Sequence, residues 1–173
     1  MDLIETIASN IPDAESFRNL AVLFQDLPDP KLEVKKYGRY NHLLFKDDTL
    51  QKNEFVRTGE KIEEIRYKNG KRDGKYNLWY ANGEKKSEGQ YTNGIKEGHW
   101  TFWYDNGVVR DEGDYVNDKE NGLWLGRYWS GEKSHERFFH GGKLHGINTF
   151  YNDDGTIQFQ VEYLDGRYIK KII

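Results

Sequence analysis

The strongest constraint on this chain is an internal repeat of 24 residues. Two series of glycines and one series of ring residues recur at that interval. The series are Gly74, Gly98, Gly122 and Gly146; Gly59, Gly83, Gly107, Gly131 and Gly155; and Tyr67, Tyr91, Tyr115, Phe139 and Tyr163. A fixed period of this length is typical of repeat proteins, in which each unit packs only on its neighbours.

Each repeat carries two turn signals, and two turns leave two strands. The turn pairs are Asn69-Gly70, Asn93-Gly94, Asn117-Asp118, Gly141-Gly142 and Asp165-Gly166, alternating with Asn82-Gly83, Asn106-Gly107, Ser130-Gly131 and Asp154-Gly155. Such dipeptides favour the positive φ angles of tight hairpins. We therefore interpret the glycines as turn residues.

Alternation within the segments favours strands over helices. Trp100, Phe102 and Tyr104 fall on one face of a predicted strand, which is the period-2 signature of a half-buried strand. Hydrophobic residues make up only 36% of the chain, whereas aromatic residues reach 15%. Rings therefore replace an aliphatic core, because each ring buries a large area and pairs with its neighbours.

The N-terminal region follows different rules. All three prolines precede residue 31, and Phe17, Leu20, Ala21 and Phe24 form the apolar stripe of a short amphipathic helix. A first helix is predicted over residues 2–9, and strands between residues 31 and 48 are expected to join the sheet. We expect residues 1–49 to form a helical cap with linking strands and residues 50–173 to form the repeat sheet.

The predicted fold is mainly β. It is an elongated single-layer antiparallel meander of about five two-stranded repeats, closed at its N-terminal end by a short α-helical cap.

Composition excludes several classes of function. The chain has no cysteine, which rules out a disulfide framework, a cysteine-based zinc site and a thiol nucleophile and favours a reducing cytoplasm. Its 26 Lys and Arg against 29 Asp and Glu give a net charge of -3, so we expect no nucleic-acid partner. The first thirty residues show neither a signal peptide nor a membrane span.

The repeat units resemble a known family. Residues 74–83 (GKYNLWYANG) and 98–107 (GHWTFWYDNG) are each followed by Glu-x-x-Tyr and Asn-Gly or Asn-Asp. They resemble the MORN repeat in its bacterial variant and, more narrowly, the YwqK family of antitoxins, over residues 50–169. Arg127 replaces an expected tryptophan, and Phe150-Tyr151 looks one residue early.

The resemblance implies a meandering antiparallel sheet and a non-enzymatic protein-binding module. Its expected role is that of a cytoplasmic immunity protein, or antitoxin, that blocks a cognate bacterial toxin without any cofactor. A structural scaffold that self-associates or tethers to anionic lipid through the basic turn of Lys68, Lys71, Arg72 and Lys75 remains the alternative.

The predicted partner-binding residues combine a ring row with a glutamate ladder. Glutamates recur every 24 residues, each opposite in face to the ring that follows three positions later. Tryptophan and arginine dominate the binding energy of many interfaces, and acidic residues suit a polar rim. The predicted set is Trp79, Trp103, Arg127, Glu88, Glu112 and Glu136. Packing of the two indoles on each other or under the N-terminal segment would explain them equally well.

No catalytic or metal site is predicted. The glutamate ladder places like groups along a line, whereas a catalytic centre needs unlike groups at one point. His135, His140 and His145 are evenly spaced, but no carboxylate completes a ligand set at typical sequence spacing. We interpret these histidines as turn and surface residues.

Overall fold

The computed structural model describes the backbone of residues 32–37, 40–45, 49–55 and 61–173, and side chains from residue 63 onward. The predicted helical cap, with Phe17, Leu20, Ala21 and Phe24, lies outside the described residues. No helix occurs within the described ranges. The predicted boundary between residues 49 and 50 stays a prediction.

Fourteen strands follow one another along the chain. The first seven are β1 (Leu32–Tyr37), β2 (Tyr40–Phe45), β3 (Thr49–Phe55), β4 (Lys61–Lys68), β5 (Lys71–Trp79), β6 (Lys85–Thr92) and β7 (Ile95–Trp103). The others are β8 (Val109–Val116), β9 (Lys119–Arg127), β10 (Lys133–His140), β11 (Lys143–Leu144), β12 (Gly146–Tyr151), β13 (Ile157–Leu164) and β14 (Arg167–Lys171).

All of these strands belong to one antiparallel sheet in meander order. Each pairs with the next along the chain, except that the short β11 lies off the path and β12 pairs directly with β10. At about 4.8 Å between strands the sheet measures about 60 Å across, against about 30 Å along its longest strands. The predicted mainly β, antiparallel meander is confirmed, and β1 and β2 join the sheet as expected.

The predicted turns form where the sequence places them. Asn93 and Gly94 have φ angles of 53° and 89°, and the equivalent residues of the other repeats are also left-handed. Two consecutive positive φ angles match the right-handed twist of the flanking strands. Phe150 and Tyr151 are in register with Phe102 and Trp103, because Tyr151 pairs with Ile157 as Trp103 pairs with Val109. Their expected one-residue shift is therefore wrong.

The core lies on one side of the sheet, which we call the ring face. Its middle row crosses the strands through Tyr76, Gly89, Trp100, Gly113 and Trp124. Trp100 is 1% exposed and Trp124 is 4% exposed. A Cβ atom at Gly89 would lie 2.1 Å from the Trp100 ring, and one at Gly113 would lie 2.5 Å from the Trp124 ring. Each indole therefore lies flat on a glycine of the neighbouring strand.

This arrangement corrects the interpretation of every glycine as a turn residue. Gly89 and Gly113 lie inside β6 and β8, where they leave the space that a tryptophan ring occupies. Gly126 in β9 does the same for the ring of His135, since an added Cβ would lie 2.0 Å from it. Glycine here serves close packing, because any side chain would collide with the ring.

The remaining rings complete the core around the buried indoles. Tyr91 and Tyr115 meet Trp100 edge-on, with centroids 5.1 and 5.9 Å away. Phe102 stacks on Trp100 at 6.0 Å, which confirms that the two share a face. Edge-on and offset contacts of this kind stabilise ring pairs beyond the area they bury.

Candidate functional site

The side of the sheet opposite the ring face carries the predicted binding residues. We call it the glutamate face, after Glu88, Glu112 and Glu136 of β6, β8 and β10. Thr101 of β7 lies directly opposite both Glu88 and Glu112, and Leu125 of β9 directly opposite both Glu112 and Glu136. The ladder therefore crosses the sheet on one surface, as the sequence predicts.

The ring row lies beside this ladder at the strand ends. Trp79 ends β5, Trp103 ends β7 and Arg127 ends β9, and all three are half-buried. Alternation puts Trp103 on the side opposite Trp100 and Phe102. Successive members are two strands apart, or about 10 Å. The predicted residues thus form a band across the sheet and do not converge on a point.

Ion pairs hold the middle and the end of this band. Arg127 Nη2 lies 3.7 Å from Glu112 Oε1, and His99 Nε2 lies 3.8 Å from Glu112 Oε2. Lys133 Nζ donates to Glu136 Oε1 at 2.6 Å. This hydrogen bond raises the pKa of Lys133. Pairs this exposed add little stability, so the band is an ordered charged rim with a small share in folding.

Each lysine of the band also contacts a ring. Lys85 donates to Glu88, and its Nζ lies 5.7 Å from the centroid of Trp103. Lys133 Nζ lies 5.2 Å from the centroid of Tyr151. Tyr151 is the fourth member of the ring row, and the sequence prediction did not include it. Its position, 24 residues after Arg127, is the signal that identifies it.

An apolar patch on the same face was also missed. Leu123, Phe138 and Ile147 are 49%, 44% and 55% exposed, and Leu123 lies directly opposite Phe138. The corresponding positions of the preceding repeat are the polar His99 and Asp114. A change from polar to apolar at equivalent outward positions is the sequence signal for this patch. Clustered exposed apolar residues mark interaction surfaces.

Two basic residues of the turn region lie on the ring face. The Arg72 guanidinium lies 5.2 Å from the Tyr91 centroid, and Lys96 Nζ lies 4.4 Å from that of Trp100 and 4.6 Å from that of Tyr115. Burial lowers the pKa of Lys96. These cations cover the rings, so they are not available together as a membrane-binding cluster.

A polar cluster interrupts the ring face in the later repeats. Asp111 lies 3.4 Å from His135 Nε2 and 3.8 Å from Arg137 Nη2, and accepts a 2.7 Å hydrogen bond from Arg110 Nε. Burial acts to raise the pKa of Asp111, but the hydrogen bonds from His135 and Arg110 outweigh it and lower the pKa.

His135 belongs to this buried cluster, which corrects its interpretation as a surface residue. Its side chain is 19% exposed, lies flat on Gly126 and is tilted against Phe150 at 6.3 Å. Ser134 Oγ lies 3.0 Å from Nδ1 of the same ring. The imidazole thus fills the position of a core ring while it holds Asp111 in place.

A hollow of about 350 Å³ lies at the other end of β10. It is lined by Asn121, Gly122, Phe138, Phe139, His140 and His145. Asp165, from the following repeat, lies within 3.6 Å of His140 and 3.2 Å of His145. A carboxylate therefore does join this histidine pair, contrary to what the sequence spacing indicated.

Known proteins place the repeat in a wider group. Three segments match the model of the MORN repeat variant: residues 72–93, 96–117 and 144–165. The intervening copy, which contains Gly126, Arg127 and Arg137, falls outside the matched segments. The comparison with curated proteins gives no match. Among the described residues, no helix is long and apolar enough to cross a membrane.

One similar solved structure is the crystal structure of accessory secretory protein 1, 2 and 3 in Streptococcus pneumoniae. The similarity has 17% identity and a TM-score of 0.19, and it covers 83% of this chain but only 22% of that one. At that TM-score the similarity carries no argument. The repeat match is the informative finding: the chain contains MORN-variant repeats, which indicate a repeat module that binds protein or lipid.

Proposed function

We propose that this protein is a bacterial immunity protein, or antitoxin, whose glutamate face binds a cognate protein toxin and blocks it. One observation carries the proposal. A single surface brings together half-buried tryptophans, a paired arginine, a charged rim and an uncovered apolar patch. The resemblance of the repeats to the YwqK antitoxins supplies the kind of partner.

The chemistry of this surface suits a protein partner. Trp103 and Arg127 are held in place by Lys85 and Glu112, so little side-chain entropy is lost when a partner docks on them. Leu123 and Phe138 offer apolar area at the side of the band. Interfaces of this type have an apolar centre, aromatic and arginine anchors and a polar rim.

The surface accounts for inhibition without chemistry on the antitoxin. The band from β5 to β10 spans about 24 Å. A rigid surface of that width can cover an active site or the path of its substrate. The charged rim then sets the association rate and the choice of partner, because charge complementarity acts mostly on encounter and specificity.

The charge distribution favours a protein over a lipid surface. Arg72 and Lys96, which the lipid alternative would use, pack over rings on the opposite side of the sheet. The whole chain carries a net charge of -3. Anionic lipid would meet few free cations, whereas a basic toxin would meet the glutamates.

Co-expression with the toxic domain encoded by a neighbouring gene tests the proposal. We expect the chain to restore growth and to form a stable one-to-one complex. Trp103→Ala is expected to weaken the complex at least tenfold by calorimetry. Tyr168→Ala is the matched control, because Tyr168 is a 58% exposed ring on the ring face, and this change should leave affinity unchanged.

Two results would contradict the proposal. One is the absence of any complex with growth still arrested. The other is an equal loss of affinity in both variants. Sedimentation with anionic vesicles, or a dimer on size exclusion, would instead support the scaffold alternative.

A further inference from the structure

The last complete repeat breaks a rule that the earlier repeats follow. In those repeats a polar side chain braces the turn of the next repeat by accepting a hydrogen bond from its backbone N–H. The bonds are Asn93 N to Asp73 at 3.0 Å, Asn117 N to Glu97 at 3.0 Å and Gly141 N to Asn121 at 3.5 Å. The equivalent positions in the last repeat are His145 and Asp165.

These two residues meet through their side chains. His145 Nδ1 lies 3.2 Å from Asp165 Oδ1. His140, at the end of β10, points to the same oxygen, with its Nδ1 at 3.6 Å, and the two imidazole centroids lie 5.6 Å apart. Three positions thus depart together from their counterparts in the other repeats, and the departures converge on one place.

The spacing of the donor atoms suits a metal ion. One nitrogen from each histidine and one carboxylate oxygen all lie within 4.8 Å of one another. Around a tetrahedral ion with ligands at about 2.0–2.1 Å, donors are about 3.3 Å apart. Two of the measured distances, 3.2 and 3.6 Å, are already close to that value. His140 is 72% exposed, so its ring has space to complete the set.

The hollow beside the histidines supplies the remaining coordination position. His140 and His145 line it together with Phe138 and Phe139. Metal sites with three protein ligands keep a fourth position for water or another ligand. A space of about 350 Å³ is large enough for a water molecule or a side chain from a partner.

We propose that His140, His145 and Asp165 form a binding site for a divalent transition-metal ion, with Zn²⁺ as the best match. Two imidazoles and one carboxylate form a donor set that Zn²⁺ accepts, whereas Mg²⁺ prefers oxygen ligands alone. The site is independent of the proposed toxin-binding function. It lies next to Phe138 of the apolar patch, so an ion there would order the edge of that patch.

Calorimetric titration of the chelator-treated full chain with Zn²⁺ tests the site. We expect one ion per chain, at least tenfold weaker binding in His140→Ala and Asp165→Asn, and no comparable binding of Mg²⁺. Replacement of Zn²⁺ by Co²⁺ should give visible absorption bands typical of tetrahedral coordination. All three ligands are partly or fully exposed, so circular dichroism should show an unchanged fold in the variants.

His99→Ala is the matched control. His99 also contacts two carboxylates, Asp114 at 3.0 Å and Glu112 at 3.8 Å, but through opposite ring nitrogens, so the three groups do not surround one point. Its loss should leave Zn²⁺ affinity unchanged. Absence of Zn²⁺ binding to the wild-type chain, or binding that His140→Ala leaves intact, would show that His145 and Asp165 form only a structural hydrogen bond.

Discussion

At the scale of single residues, the ring face depends on a pairing of tryptophan with glycine. Trp100 covers Gly89 and Trp124 covers Gly113, each across one strand-to-strand contact. The indoles gain burial only because the facing residue has no side chain. Volume at these glycines therefore controls stability more than their backbone freedom does.

Gly113→Ala is expected to lower the free energy of unfolding by about 1–3 kcal/mol, because the new methyl group overpacks the site against Trp124. Chemical denaturation measures the loss. In a Trp124→Leu background the same change should cost clearly less, since the smaller side chain can yield. An equal cost in both backgrounds would place the strain in the backbone.

The ring-face tyrosines predict a loss of stability at alkaline pH. Burial, together with the charge of Glu63, raises the pKa of Tyr76 to about 12, and burial together with Glu120 raises that of Tyr115 to about 12. The unfolded phenols ionise near pH 10. The stabilisation is therefore complete below about pH 10 and is lost as the pH rises towards 12.

Unfolding free energies measured from pH 9 to 12 check this dependence. Tyr115→Phe should flatten the curve, because one phenol with a raised pKa is gone. Tyr168→Phe, at an exposed ring on the same face, is the control and should retain the wild-type slope. A Tyr115→Phe curve as steep as the wild-type curve would contradict the assignment.

At the scale of the elements, successive hairpins are joined by tyrosine hydroxyls. Tyr80 donates to the carbonyl of Trp103 at 2.8 Å, and Tyr104 donates to that of Arg127 at 2.9 Å. Tyr128 repeats the pattern with Tyr151 at 2.6 Å. Each bond reaches the next repeat and so also fixes the backbone of the ring row.

Tyr104→Phe removes one such link while it keeps the ring. We expect a loss of about 1 kcal/mol, the usual net value of a hydrogen bond. Faster amide hydrogen exchange near Arg127, with little change near Trp79, would locate the effect. Uniform exchange along the sheet would show that the link is not local.

The hairpins were predictable from sequence, and several interactions between them were not. The period of 24 and the turn pairs at Asn93 and Asn117 were sufficient to predict the antiparallel order. Glycine usually marks a turn, so the role of Gly89 inside a strand needs the position of Trp100. Asp165 lies 20 residues after His145, a spacing that only the repeat geometry turns into a contact.

At the scale of the whole molecule, the repeat gives the chain two different faces. One is closed by rings and covering cations such as Lys96, and the other carries the glutamates and the apolar patch. The prediction of one band for Trp79, Trp103, Arg127 and the ladder follows from strand alternation alone. The patch was missed, because a single apolar residue on an outward position is common and only the cluster is informative.

The most direct test of this account is a thiol-labelling footprint of the complex. The chain has no cysteine, so single cysteines report one position each. Labelling of Leu123→Cys and Thr101→Cys, on the glutamate face, should slow at least tenfold when the partner is bound, and labelling of Tyr168→Cys, on the ring face, should not change. Protection of Tyr168→Cys with free labelling of the other two would contradict the assignment of the binding face.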